Sequence, residues 1–264
     1  MIKNFQDQMG RSISIELPPK RIISLVPSQT ELLHWLGLDE EVIAITKFCV
    51  HPEEWFHSKP RIGGTKKFDF KKIAALKPDL IIGNKEENEE LQIKQLMEKY
   101  SVWMSDIHDL EGAYEMMRGV GEVVDRRDKA NELISEIERA FANLKFLKKP
   151  ARTAAYFIWR EPYMVAGHDT FLNNMLQQCN LKNIFETYDG RYPSVSAEDI
   201  KEKAPELILL SSEPYPFKQR HIDEFRQICP TAKIALVDGE YFSWYGSRLL
   251  GAPAYFNKVL NEIE

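Results

Sequence analysis

The chain has 264 residues, enough for one large domain or for two lobes of about 100–150 residues each. Hydrophobic residues make up 44% and charged residues 28%, the balance of a protein that buries a substantial core. The net charge of −5 argues against a nucleic-acid partner, and no run of about 18 apolar residues is present that could form a membrane span.

The cysteines and the N-terminal segment bear on the compartment. The chain has three cysteines, and an odd, sparse number argues against a disulfide framework. The segment that starts at Met1 has neither an apolar stretch nor a small-residue cleavage site, so it predicts no export signal in this chain. We expect a cytoplasmic protein with free thiols if Met1 is the native start, and a periplasmic protein otherwise.

Short apolar runs alternate with helical patterns in the first half of the chain. The predicted strands are residues 21–26, 42–46, 80–83 and 102–104. Ser28 is placed to cap a first helix that ends at Gly37, and further helices are expected at 70–76 and 86–100. This alternation predicts a parallel sheet with helices on both faces.

The middle of the chain has a different pattern. From Arg126 to Phe146 there is no glycine or proline, and apolar residues recur at spacings of three and four. The pattern predicts an amphipathic helix of about 20 residues, which would be about 30 Å long. A helix of that length can join two lobes.

The second half returns to short apolar runs. The predicted strands are residues 153–159, 163–166, 206–211 and 233–237. Helices are expected from Asp169 or Thr170 to about residue 179, and from 246 to 263 with Pro253 delaying the regular part. Residues 77–82 (KPDLII) and 204–209 (APELIL) echo each other. In both segments a proline stops a helix and an acidic residue begins a buried strand.

Several segments, in this order and spacing, carry a resemblance to a known family. They are 21–31 (RIISLVPSQTE), 62–64 (IGG), 73–82 (IAALKPDLII), 165–171 (VAGHDTF), 183–185 (NIF), 192–198 (YPSVSAE) and 247–249 (SRL). Together they resemble the ABC-transporter substrate-binding proteins with a helical backbone, which bind cobalamin or iron siderophores. The resemblance is closest to the cobalamin-binding members and covers roughly residues 20–262.

The resemblance implies an α/β fold in which two Rossmann-like lobes with parallel sheets are joined by one long backbone helix. We place the N-terminal α/β lobe at residues 1–124, the connecting helix at 125–149 and the C-terminal α/β lobe at 150–264. The ligand is expected in the cleft between the lobes. We expect a monomer that binds a small molecule.

The candidate binding residues follow from the rule that ligands of open α/β sheets lie beyond the carboxyl ends of the strands. Four of the segments after strands carry aromatic residues: Phe48, Trp159 with Tyr163, Tyr215, and residues 241–245. Such rings suit a large flat ligand, although they could instead pack the interface between lobes. The full candidate set is Ser28, Thr30, Phe48, Cys49, His51, Gly64, Asn84, Trp159, Tyr163, Tyr192, Glu240, Trp244 and Arg248.

Cys49 and His51 are the residues with the clearest potential for metal chemistry. In an extended segment, side chains two apart point to the same side, so a thiolate and an imidazole could ligate a soft metal or the axial position of a metallated ring. The alternative is a partly buried cysteine and a turn histidine before a proline. His168 is a weaker second candidate, and no other metal ligand is predicted.

The sequence gives little support to an enzyme. It has no dinucleotide fingerprint, no phosphate-binding loop and no nucleophile elbow. Ser28 resembles a nucleophile only in its position after a strand, and helix capping explains it better. We therefore expect a binding protein with no required cofactor. The runner-up is a cytoplasmic metallocofactor chaperone or enzyme on the same fold, and a third reading is an interaction protein with a vestigial cleft.

The resemblance also bears on the transporter and on the ligand. Family members dock on an ABC permease through one acidic residue on each lobe. Glu198 matches the second position, whereas the first holds Lys71, with Asp69 nearby. Cobalamin binders of the family carry aromatic residues at three positions. Two of these are aromatic here, Phe48 and Tyr192, whereas the third holds Asn84. Cobalamin, haem and a ferric siderophore all stay open as ligands.

Overall fold

The structure is a computed structural model that describes residues 1–144 and 150–263. The chain divides into two compact units. Unit 1 comprises Met1–Ile107, Glu111–Glu136 and Tyr245–Arg248, and unit 2 comprises His108–Leu110, Ile137–Trp244 and Leu249–Glu264.

Unit 1 contains an antiparallel hairpin and a parallel sheet. The hairpin consists of β1 (Ile2–Gln6) and β2 (Ser12–Glu16). The sheet has the order β4-β3-β5-β6 and is formed by β3 (Ile22–Ser24), β4 (Val42–Ile45), β5 (Leu80–Asn84) and β6 (Val102–Ser105). The helices are α1 (Pro27–Trp35), α2 (Glu53–Ser58), α3 (Phe70–Leu76), α4 (Glu90–Met97), α5 (Leu110–Val123) and the first part of α6 (Arg127–Ala142).

The strands of the parallel sheet are short, and three of the four are fully buried. Every residue of β3, β5 and β6 is buried, and Ile23 pairs with Ile81 across the centre of the sheet. Such strands appear in the sequence as continuous apolar runs, which is why the pattern predicts them well. Their carboxyl ends are therefore fixed by the core of unit 1.

The start of α1 differs from the prediction. Val26, in extended conformation, is the N-cap, and Pro27 occupies the first turn, where its missing N–H costs nothing. Ser28 lies inside the first turn, so its prediction as the cap is wrong. The predicted end is confirmed: Gly37, at φ +78°, follows the last residues of the helix.

Unit 2 has a mixed sheet of six strands. They are β7 (Arg152–Trp159), β8 (Tyr163–Val165), β9 (Leu181–Asn183), β10 (Ser194–Val195), β11 (Leu207–Ser211) and β12 (Lys233–Val237). The order is β10-β8-β7-β11-β12, with β9 also paired to β7. β9, β11 and β12 continue the parallel pattern of β7, whereas β8 is antiparallel to both β7 and β10.

The helices of unit 2 pack around this sheet. They are the last part of α6, α7 (Phe171–Gln178), α8 (Ala197–Lys203), α9 (Gln219–Ile228), α10 (Glu240–Ser243) and α11 (Ala252–Glu262). A 3-10 helix, Ser247–Leu250, precedes α11. Residues of β7, β11, α8 and α9 form one apolar core cluster. The mixed α/β fold with parallel strands confirms the predicted fold class.

The echo seen in the sequence is a repeated local structure. Helices α3 and α8 are both seven residues long, and the side chains of Asp69 and Ser196 cap them. Both end at a left-handed residue, Lys77 at φ 47° and Ala204 at φ 43°, followed by a proline. Each then leads into a fully buried strand, β5 or β11. The same helix, stop and strand thus occur once in each unit.

Helix α6 corresponds to the predicted connecting helix. It begins at Arg127, one residue later than the pattern indicated, and its last helical residue is Ala142. The boundary between the units falls inside it, after Glu136. Residues 145–149, on which the predicted end of the connecting helix falls, lie outside the described residues. Among the described helices, none has the length and apolarity that crossing a membrane would require.

Candidate functional site

The loop after β4 presents an aromatic ring at the carboxyl edge of the unit 1 sheet. The side chain of Phe48 is 51% exposed and lies against Gly64. A Cβ atom on Gly64 would come within 3.1 Å of the ring, so only glycine allows this close approach without a shift. The Nζ of Lys47 stands 4.9 Å from the ring centroid. Phe48 and Gly64, predicted separately, thus form one exposed surface.

Cys49 points the other way, into the interior. Its thiol is fully buried, and its Sγ lies 3.0 Å from Thr30 Oγ1 and 3.2 Å from Thr46 Oγ1. Burial raises the pKa of this thiol, so the thiolate that a metal would need is disfavoured. Thr30 is likewise fully buried, and its hydroxyl also contacts Ser24 and the backbone. The polar atoms of both residues are thus engaged in holding the loop in place.

His51 lies on the same loop but in a different environment. It is half-buried, whereas Cys49 is fully buried. The segment is not an extended strand, since the backbone N–H of Cys49 bonds to Thr46 and that of Val50 bonds to Phe48. The extended geometry on which the prediction of a shared side for the thiol and the imidazole depends is therefore absent here.

Asn84 ends β5 and is 2% exposed. Its Oδ1 accepts from the backbone N–H of Glu86 at 2.9 Å and of Glu87 at 3.1 Å. Its Nδ2 donates to Ser105 Oγ at 2.9 Å and to Ser105 O at 3.3 Å. Both amide atoms are thus engaged in ordering the turn after the strand. The structure assigns Asn84 a positioning role for this loop in place of the predicted ligand contact.

A segment from late in the chain completes unit 1. Gly246, at φ +102°, packs on α1, where an added Cβ would lie 3.3 Å from Leu32. Two residues on, Arg248 forms a two-pronged ion pair with Glu31 of α1, at 3.0 Å and 2.8 Å. A guanidinium and a carboxylate in this geometry bond strongly and hold a fixed orientation. Arg248 therefore anchors its segment beside Ser28, which is itself buried.

In unit 2, Trp159 is the exposed aromatic residue at the carboxyl end of a strand. It ends β7, is 41% exposed, and packs edge-to-face on Tyr215 with ring centroids 5.7 Å apart. Tyr215 follows β11, the neighbouring parallel strand, and its backbone N–H bonds to Ile158. Tyr215 belongs to one of the aromatic segments expected after strands but is not one of the predicted binding residues. Adjacent strands bring the two rings together.

The side chain of Tyr163 packs mainly against the core of unit 2. Its ring packs on Phe157 and Phe225, and its hydroxyl donates to Glu224. The same carboxylate binds Arg160 Nε at 2.9 Å. Burial and the hydrogen-bonded carboxylate raise the pKa of Tyr163. This side chain therefore fixes the turn between β7 and β8, next to Trp159.

Trp244 is also less accessible than predicted. It is 7% exposed, and its Nε1 donates to Glu213 Oε1 at 2.9 Å. Ser243 Oγ donates to the same oxygen at 2.8 Å. Burial raises the pKa of Glu213, and the charges of Glu240 and Asp238 act in the same direction. Glu240 is thus part of an acidic group at the carboxyl ends of β11 and β12, and Trp244 braces that group from inside.

Tyr192 and the segment after β8 lie elsewhere in unit 2. Because β8 is antiparallel to β7, the residues that follow it run toward the amino end of β7. Gly167 bonds there to the carbonyl of Arg191, whose guanidinium lies 5.9 Å from the ring of Tyr192. The assumption that residues 167–170, including His168, follow a carboxyl edge is therefore wrong. Trp159 and Ser194 both pair with Met164 of β8, so Tyr192, two residues before Ser194, is offset from Trp159 by about 7 Å along the strand direction.

The two positions at which the resemblance implies permease docking are equivalent in the repeated helices. Lys71 and Glu198 are each the second residue of their helix, α3 and α8, and both are exposed. Asp69 is committed to capping α3, where it accepts from the backbone N–H of Lys72 at 3.0 Å. Its carboxylate is thus already engaged, and the exposed charge at this end of α3 is positive.

The comparisons with known proteins agree with this architecture. The periplasmic binding protein family matches residues 22–232. The chain belongs to this family. It is 25% identical over 254 residues to the vitamin B12-binding protein of Photorhabdus laumondii, covering 95% of this chain and 91% of the relative. It is 27% identical to the uncharacterized ABC transporter substrate-binding lipoprotein YvrC of Bacillus subtilis, covering 77% and 67%.

Solved structures show the same fold. The periplasmic vitamin B12 binding protein BtuF of Vibrio cholerae superposes with a TM-score of 0.80 at 19% identity, covering 93% of this chain and 98% of that one. The periplasmic heme-binding protein BhuT in complex with two hemes gives 0.80 at 20% identity, covering 92% and 98%. As a member of the periplasmic binding protein family, the chain is a binding protein rather than an enzyme.

Proposed function

We propose that this protein is the substrate-binding component of an ABC-type uptake system and that its ligand is a corrinoid or another metal chelate, such as haem or a ferric siderophore. The observation that carries the proposal is membership of the periplasmic binding protein family over residues 22–232. Relatives and structural neighbours in this family are named for vitamin B12, heme and Fe3+-hydroxamate. A position outside the cytoplasmic membrane follows from the same proposal.

The exposed rings support a large, partly apolar ligand. Phe48 in unit 1 and Trp159 in unit 2 both end up exposed beyond a strand, although rings of this size are usually buried. Each has a neighbour that fixes its orientation, Gly64 for Phe48 and Tyr215 for Trp159. A rigid aromatic surface loses little conformational freedom on binding a flat ring system. The predicted position of the ligand between the two lobes remains part of the proposal.

Two charged features would complete recognition. Lys47 stands beside Phe48. Glu240 belongs to the acidic group that Trp244 braces. Corrinoids carry amides and haem carries propionates, so cations and acceptors around an aromatic surface suit both. We give Cys49, Thr30 and Asn84 no direct ligand contact.

A titration with three probes tests the proposal. Cyanocobalamin, haemin and a ferric hydroxamate siderophore are added to the purified full chain, and binding is followed by calorimetry and by the visible spectrum. We expect one of the three to bind with a saturable isotherm in the micromolar range or tighter, near −8 kcal/mol or more favourable. If none of the three binds, the metal-chelate assignment is wrong.

Variants then locate the binding surface. Trp159→Ala and Phe48→Ala should each weaken binding by roughly 1–3 kcal/mol, because each removes an exposed ring. Trp35→Ala is the matched control: Trp35 ends α1, which returns the chain from the carboxyl end of β3 to the amino end of β4. Full affinity in both ring variants would contradict the placement of the ligand, whereas the control should bind normally.

Docking on a permease is part of the same proposal. Glu198 supplies an exposed acidic residue on α8, as the resemblance implies, and Lys71 replaces its counterpart on α3. We propose that the α8 end of the protein carries the contact. Glu198→Lys should then abolish stimulation of the permease ATPase without changing ligand affinity. The alternative of a cytoplasmic chaperone or enzyme is not favoured, because the family consists of transport binding proteins.

A further inference from the structure

A group of potential metal ligands lies away from the surfaces described above, at the far end of α1. His34 is in the last turn of α1, Asp39 follows that helix, and Glu54 is in the first turn of α2. One ligand atom from each lies within 4.8 Å of the other two. His34 Nε2 is 2.8 Å from Glu54 Oε1. Three side chains from separate parts of the sequence therefore converge on one point.

A buried tryptophan orients two of the three. Trp55 Nε1 donates to Asp39 Oδ1 at 2.9 Å, and the Trp55 ring packs edge-on against His34 with centroids 5.2 Å apart. Trp55 is buried, so it provides a rigid support for its partly exposed neighbours. Because the neutral indole N–H of Trp55 binds only one oxygen of the Asp39 carboxylate, the other oxygen could coordinate a metal ion. Such supporting bonds are typical of ligands at metal sites.

The surrounding charges also favour a cation. Glu40, Glu41 and Glu53 are neighbours in sequence of the two carboxylates. The ammonium group of Lys59 donates to the backbone carbonyl of Asp39, and its charge also interacts with the carboxylates of Asp39, Glu41 and Glu54. A metal ion would share these carboxylates with Lys59, whose single charge is smaller than the summed charge of the acidic residues here.

We propose that His34, Asp39 and Glu54 form a surface site for a divalent transition-metal ion, with Zn²⁺ as the best-matched ion. One imidazole and two carboxylates make a donor set that suits Zn²⁺, and water would complete the coordination. Mg²⁺ is a poor match, since it prefers oxygen ligands in near-ideal octahedral geometry. The bound ion would join the end of α1 to α2, and α2 directly follows the loop that carries Phe48.

The test uses the full-length protein stripped with a chelator and titrated with Zn²⁺ by calorimetry. We expect one Zn²⁺ per chain. The variants His34→Gln and Asp39→Asn should each weaken binding at least about tenfold, because each removes a ligand. Both are conservative, since Gln can still donate to Glu54 and Asn can still accept from Trp55. Unchanged circular dichroism would show that both variants fold.

A matched control separates this site from any exposed histidine beside a glutamate. His57 Nε2 lies 3.6 Å from Glu53 on α2, and both side chains are largely exposed. His57→Gln should leave Zn²⁺ affinity unchanged. The proposal is overturned if no Zn²⁺ binds at millimolar concentration, if His34→Gln binds as the wild type does, or if Mg²⁺ competes on equal terms. The Zn²⁺ titration uses a different probe and different variants, so its outcome does not depend on the chelate titration.

Discussion

Replacing Asn84 by alanine is the sharpest test of the distinction between a binding residue and a positioning residue. The side chain is 2% exposed and makes four hydrogen bonds, two to the backbone N–H groups of Glu86 and Glu87 and two to Ser105. Three of these have donor–acceptor distances of 2.9–3.1 Å, and the fourth, at 3.3 Å, is weaker.

The size of the effect follows from these bonds. A hydrogen bond contributes about 0.5–1.5 kcal/mol net, and leaving a buried partner unsatisfied costs about 1–3 kcal/mol. The backbone N–H groups of the turn can reach water more easily than Ser105 can, since Ser105 is fully buried. We therefore expect Asn84→Ala to lower the free energy of unfolding by about 2–4 kcal/mol.

The assay is urea denaturation followed by circular dichroism, together with titration of the ligand identified for the wild type. Asn143→Ala is the control, because Asn143 is exposed and makes a local bond to Arg139 of 2.8 Å. It should change stability by no more than about 0.5 kcal/mol. If Asn84→Ala is as stable as this control and has lost its ligand, then Asn84 contacts the ligand and our assignment fails.

Three further predictions concern the interior. Glu213→Gln should raise stability relative to the wild type at about pH 8 and not at about pH 4. Burial raises the pKa of this carboxyl, so the folded protein favours its neutral form. The contribution of the neutral carboxyl to stability is therefore present below the pKa of the unfolded chain and is lost as pH rises through the pKa of the folded protein. Equal pH profiles in urea denaturation would contradict this. Trp244→Ala should destabilise the protein by about 3–5 kcal/mol, and Trp159→Ala by clearly less, in the same assay. All three cysteines are free and buried, so a thiol reagent should label them only after unfolding; rapid labelling of the native protein would refute this.

Much of the fold could be predicted because apolar periodicity and helix ends are local properties. Helix α3 and strand β5 have nearly the expected bounds. Asp69 marks the start of α3, and Pro78 separates that helix from β5. The sequence pattern did not predict helix α5, because the helix contains three glycines, which usually weaken a helix. A Cβ on Gly121 would come within 2.5 Å of Ala130, and one on Gly119 within 2.9 Å of Trp103. These glycines permit close packing, which no local pattern reveals.

The candidate site could be predicted only in outline. The rule about carboxyl ends located Phe48 and Trp159, but it assumed that every strand is parallel. A three-residue strand such as β8 gives no sign of its direction, and its antiparallel course moved residues 167–170 to the other edge. Burial decided the remaining cases. Thr30, Cys49 and Asn84 lie in or beside the segments that follow strands, but their polar atoms bond inside the unit to partners far away in sequence.

The repeated helices α3 and α8 limit the symmetry of any partner that touches both. Their second positions carry Lys71 and Glu198, residues of opposite charge on the same local scaffold. A partner made of two identical subunits presents the same charge twice, so it would attract one helix and repel the other. Such a partner would bind one of the two helices strongly and the other weakly, and its two halves would be distinguishable once the complex forms. A partner with two different subunits would not have this restriction.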